Sequence, residues 1–125
     1  MVDTYTRLIF NFVRTAESQD CLNYLLEVIE KDLKDVLPLQ VKSSTWCVDT
    51  LNVALYYLLR KQNFEETVVS VVNEGDDSDT AGAISSSLAG AMYGYSQIPV
   101  RWIDVLDPLL RKTLDGLVEK ALAPR

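Results

Sequence analysis

Apolar residues recur with a helical period along almost the whole chain. Leu8, Ile9, Phe12 and Val13 mark one face of a first short helix, with Asp3 or Thr4 as its cap. Leu22, Leu25, Leu26, Ile29, Leu33 and Val36 then predict a second helix that starts near Ser18. Pro38 ends it, because the residue before a proline is pushed out of the α region. Residues Leu39 to Thr45 read as a connector, and its polar Ser43-Ser44-Thr45 run either lines a site or simply faces water. From Cys47 to Leu59 nearly every position is apolar, the mark of a helix central in a bundle.

Asn63-Phe64-Glu65-Glu66 has the form of a capping box, with Asn63 as cap and Glu66 at the third helical position. Phe64, Val68, Val71 and Val72 give the next helix its apolar face. The paired valines also allow a strand, but the cap in front favours helix. A further helix is expected from about Thr80 to Tyr95. Its Gly82, Ser86, Gly90 and Gly94 lie four apart and share one face. Each helical glycine costs roughly 1 kcal/mol relative to alanine, so this row implies that another backbone approaches closely and that the helix is the crowded centre. Ile98-Pro99 breaks the chain, and Trp102 and Ile103 pack back. Asp107-Pro108 opens a last helix, whose Leu110, Leu114, Leu117 and Leu122 are expected to face inward. The whole reads as one all-α domain over residues 1–125, a compact helical bundle without repeats.

Composition acts mainly by exclusion. A net charge of −6 does not suit a phosphate backbone, so nucleic acid is not an expected partner. No basic amphipathic run suits an anionic membrane, no apolar stretch approaches bilayer length, and Met1 to Tyr5 lacks the features of a leader, so a cytoplasmic protein is expected. Cys21 and Cys47 form no C-x-x-C pair and read as free buried thiols. The chain has no histidine, which excludes Ser-His-Asp and Cys-His catalysis and His-ligated zinc within it. Chemistry must rest on carboxylates, hydroxyls, backbone amides or a hard cation.

One stretch concentrates those groups. Val72-Asn73-Glu74-Gly75-Asp76-Asp77-Ser78-Asp79-Thr80 places four carboxylates, a glycine and two hydroxyls at the head of the small-residue helix. Two readings stand at this point. The acids can cap free backbone N–H groups at the positive end of the helix dipole. Alternatively, Asp77, Asp79 and a hydroxyl can offer oxygens to an ion such as Mg²⁺.

The ordered pieces around this stretch resemble the C-terminal part of the ADP-ribosylglycohydrolase family. They are Val48-Asp49-Thr50-Leu51 with Ala54-Leu55, Phe64-Glu65-Glu66, Val72 to Thr80, Leu88-Ala89-Gly90-Ala91-Met92-Tyr93-Gly94, and Ile98-Pro99 with Trp102, over about residues 46–102. The resemblance implies an all-α fold and Mg²⁺-dependent hydrolysis of the glycosidic bond between ADP-ribose and a protein side chain. It implies metal ligation by Asp77, Asp79 and Thr80, which fall on the family's Asp-x-Asp-Thr motif. Asn73 and Gly75 match the turn that presents these acids, and Ser44-Thr45 stands where a ligand-contacting loop is expected. Ser86 replaces a customary glycine. Family members usually carry Gly-Gly where this chain has Gly75-Asp76. The family's N-terminal half, with a second ligand set and the acidic catalytic residue, has no counterpart here, so no catalytic residue is assigned. ADP-ribose or an ADP-ribosylated protein is therefore the expected ligand. A second copy, as a homodimer, or a complementary N-terminal chain is expected to complete the site. The alternative is an inactive ADP-ribose-binding or protein-interaction module with the same fold.

Overall fold

The computed structural model describes residues 2–15, 17–32 and 46–124. Among them lie seven α-helices, one 3₁₀ turn and no strand: α1 (Val2–Arg14), α2 (Ser18–Asp32), α3 (Cys47–Arg60), α4 (Phe64–Asn73), α5 (Ser78–Tyr93), the 3₁₀ turn Tyr95–Gln97, α6 (Val100–Asp104) and α7 (Pro108–Leu122). The fold is all-α, as the periodicity predicts. Leu33, Val36, Pro38 and the connector Leu39 to Thr45 lie outside the described residues.

Helix α5 occupies the centre. It packs on α1, α3 and α4 and touches α2 and the 3₁₀ turn. The core is drawn from the five helices: Leu8 and Phe12 of α1, Leu25 and Ile29 of α2, Leu55 and Leu58 of α3, Phe64 of α4, and Leu88 and Met92 of α5. Side chains of this kind each contribute roughly 1.5–3 kcal/mol when fully buried. A smaller cluster of Val53, Val71 and Ala81, with Tyr57 packed against it, joins α3, α4 and the first turn of α5.

Side-chain caps place the starts of α4 and α7. The Asn63 side chain accepts the Glu66 N–H at 2.8 Å, so the cap sets the start of α4 and decides helix over strand for its valines. Asp107 accepts the N–H groups of Leu109 and Leu110 at 2.9 and 3.1 Å, with Pro108 in the first turn. Trp102 returns to the core and meets Phe64 edge-on at 6.1 Å between ring centroids.

Four expectations change. Asp3 and Thr4 are not caps: α1 already runs from Val2, Thr4 is buried, and Asp3 pairs with Arg7 one turn on. Helix α5 runs two residues earlier at each end than the spacing suggests, because Asp77 takes the cap position and Gly94, at φ 85°, stops the helix after Tyr93. The small-residue face of α5 meets side chains and not another backbone. A Cβ on Gly82 would meet Val72 Cγ2 at 3.0 Å, and one on Gly90 would meet the Phe64 ring at 3.8 Å. Finally, Leu110, Leu114, Leu117 and Leu122 do not face inward. They are 47%, 44%, 57% and 79% exposed, and α7 has no buried residue. Its periodic leucines make a face, but none of the described helices lies over it.

Candidate functional site

The acidic stretch forms the tight link between α4 and α5. Helix α4 closes when the N–H groups of Glu74 and Gly75 turn back to the Val71 and Val72 carbonyls, each at 3.2 Å. Gly75 then takes φ 75° and Asp76 φ 54°, two left-handed residues in succession. Asp77, at φ −77° and ψ 55°, is the centre of an inverse γ-turn, in which the Ser78 N–H donates to the Asp76 carbonyl at 2.8 Å. From there the Ala81 N–H reaches the Asp77 carbonyl at 3.1 Å and α5 begins.

This path brings Asp77, Asp79 and Thr80 together. The Thr80 hydroxyl donates to Asp77 Oδ1 at 2.9 Å. The Asp79 carboxyl lies below the usual carboxylate range, held there first by its side-chain hydrogen bond with Asp77 and then by the backbone N–H groups of Thr80 and Asp79. Asp77 makes no side-chain hydrogen bond to the helix backbone, so it holds the cap position without doing the usual work of a cap. Asn73 ends α4 as an exposed residue, and Gly75 shapes the turn through its backbone. Ser44 and Thr45 lie outside the described residues.

The donor chemistry fits a hard cation. Two carboxylates and a hydroxyl oxygen, all reachable from solvent, suit Mg²⁺ with water in its remaining positions. They do not enclose an ion. Among the described residues no group of three or more His, Cys, Asp or Glu side chains is arranged to hold one.

Beside the cluster lies a mostly apolar cavity of about 210 Å³, where the N-terminal turns of α1, α3 and α5 meet. Val2 and Tyr5, Cys47, Thr50 and Leu51, and Thr80 and Ile84 line it, so Thr80 belongs to both cavity and cluster. Cys47 corrects an expectation. It is exposed at the start of α3, whereas Cys21 is buried, and both are free thiols. Tyr57 was not anticipated either. Its hydroxyl donates to the Glu74 carboxylate and ties α3 to the end of α4 just before the acidic turn. That bond is the main reason its pKa is pushed up to about 12. The two residues lie 17 apart, and no local pattern connects them.

With this geometry in hand, the comparisons decide the family. The family model described as ADP-ribosylglycohydrolase matches residues 2–125. The chain belongs to that family. It is 36% identical over 86 residues to the ADP-ribosyl-[dinitrogen reductase] glycohydrolase of Rhodospirillum rubrum, a match covering 69% of this chain and 29% of that protein. It is 39% identical over 67 residues to the ADP-ribosylarginine hydrolase Tri1 of Serratia proteamaculans, covering 54% and 18%. The ADP-ribosylglycohydrolase match thus spans less than a third of the length of these curated relatives. No solved structure matches the chain. No described helix is long and apolar enough to cross a membrane.

Asp76 is the strained member of this family turn. A side chain in the left-handed region costs of order 1 kcal/mol, less for Asp than for most residues, while glycine adopts it freely. Asp76→Gly also removes one of the crowded carboxylates. We expect the variant to be about 1 kcal/mol more stable and to melt roughly 3–5 °C higher in a calorimetric scan. A lower Tm would mean that the Asp76 side chain holds the turn together.

Proposed function

We propose that the chain is part of an ADP-ribosyl-acceptor hydrolase, acting with Mg²⁺ on the glycosidic bond between ADP-ribose and a protein side chain. The observation that carries this reading is the meeting of Asp77, Asp79 and Thr80 at the head of α5, within the family-matched region. These three residues would hold the ion, which when bound supplies Lewis-acid polarisation of substrate oxygens and of water. The paired carboxylates supply negative charge, and the Thr80 hydroxyl orients Asp77. The cavity beside them, with Tyr5, Leu51 and Ile84 on its walls, offers an apolar surface to a flat part of the ligand. Two free thiols accord with a reducing compartment such as the cytoplasm.

A second reading has its own support. The match covers 29% and 18% of the two relatives, and on the hydrolase reading a partner chain or a second copy would complete the site. Without one, the chain is an ADP-ribose-binding or protein-interaction module. Incubation with an ADP-ribosylated arginine peptide and Mg²⁺ separates the two. The hydrolase reading expects ADP-ribose release that EDTA abolishes. Binding of ADP-ribose with no release at high protein concentration would leave the module reading.

A further inference from the structure

Tyr57 stands outside the acidic stretch, on α3, yet it is joined to that stretch in two ways. Its ring packs against the cluster of Val53, Val71 and Ala81, which includes the last turn of α4 and the first turn of α5. The Tyr56 ring also meets it edge-on, at 5.1 Å between centroids. With the ring held in this way, its hydroxyl donates to Glu74, the residue that caps the end of α4. Only Gly75 and Asp76 lie between Glu74 and Asp77.

That short link is not at rest by itself. Both of its residues are left-handed, and for Asp76 the conformation runs against the preference of a residue with a side chain. A strained backbone of this kind persists only where its surroundings over-determine it. We propose that Tyr57 is the positioning residue of the acidic cluster: through Glu74 it fixes the end of α4, and so holds the turn in the conformation that brings Asp77, Asp79 and Thr80 together. The consequence for Mg²⁺ rests on the hydrolase reading, whereas the hold on the turn does not.

A phenol suits this role. It is a neutral donor, so it orients the Glu74 carboxylate without cancelling its charge. The same bond pushes the Tyr57 pKa up to about 12, which keeps the hydroxyl protonated and able to donate throughout the neutral range. A brace and a mere modulator of charge predict opposite signs when the hydroxyl is removed. Loss of the brace lets the ligands drift and weakens cation binding. A Glu74 carboxylate freed of its donor, acting by charge alone, would draw a cation in more strongly.

Tyr57→Phe is the clean test, since it keeps the ring in its packing and leaves the charge at neutral pH unchanged. Mg²⁺ affinity in calorimetry should fall about tenfold, the scale on which the partners of ligating groups act. An affinity that rises or stays the same overturns the proposal. A second readout needs no metal. The Ser78 and Ala81 amides, which bond the Asp76 and Asp77 carbonyls, should exchange with deuterium several-fold faster in the variant. Amides in the middle of α3 and α5 should keep the parent's rates. Faster exchange throughout those helices would reduce Tyr57 to a contact that stabilises the whole fold, and overturns the proposal too. Glu74→Gln keeps an acceptor, so its turn amides should stay nearer the parent's rates than those of the equally uncharged Glu74→Ala. If the parent itself binds no Mg²⁺, the hydrolase reading fails, and the exchange rates alone decide whether Tyr57 braces the turn.

Discussion

Truncating Leu88 to alanine is expected to destabilise the fold by about 3–4 kcal/mol. Leu88 is completely buried at the middle of α5, the helix that packs on α1, α3 and α4. Removing its branched end forfeits the transfer free energy of the lost carbons and leaves a cavity that helices on several sides cannot all collapse to fill. A domain of this size is stable by only roughly 5–15 kcal/mol, so the loss is a large share of the total. Urea unfolding should show a lower midpoint at an unchanged slope. A loss below about 1 kcal/mol would mean that α5 can shift into the space and is not the tightly held centre described here.

The second large effect is expected at the acidic turn. Asp77→Ala combined with Asp79→Ala should abolish Mg²⁺ binding in calorimetry, because it removes both carboxylates and leaves only the Thr80 hydroxyl. The fold should survive. The Asp77 carboxylate accepts no capping hydrogen bond from the helix backbone, and Asp79 is exposed, so relief of like-charge crowding and loss of hydrogen bonds to backbone N–H groups roughly offset each other. Ion-free stability should therefore change little. If the double variant binds Mg²⁺ as well as the parent, these residues are not the ligands. If it instead loses much of its stability, the acids serve mainly to start α5.

These two effects differ in how far the sequence shows them. The central place of α5 is legible in its small residues, and the starts of α4 and α7 are legible in Asn63 and Asp107-Pro108, because each signal acts within one turn of helix. The acidic turn is legible as chemistry but not as geometry. Asp77 and Asp79 are equally good caps by residue type, and only the backbone at Gly75 and Asp76 selects Asp77. Periodicity marks an apolar face without saying what covers it, so the leucines of α7 looked buried. The exposure of Cys47 and the Tyr57–Glu74 bond depend on how α3 lies beside its neighbours, and no local pattern encodes that.

The contrast between the two thiols gives the molecule a built-in reporter. Cys21 is sealed in the core, while Cys47 opens onto the cavity that it shares with Thr80. A maleimide fluorophore should therefore attach at one place in the native protein. The dye would sit at the cavity wall, where a change in its emission on adding Mg²⁺ or ADP-ribose would test the proposed binding in real time, without any engineered label site.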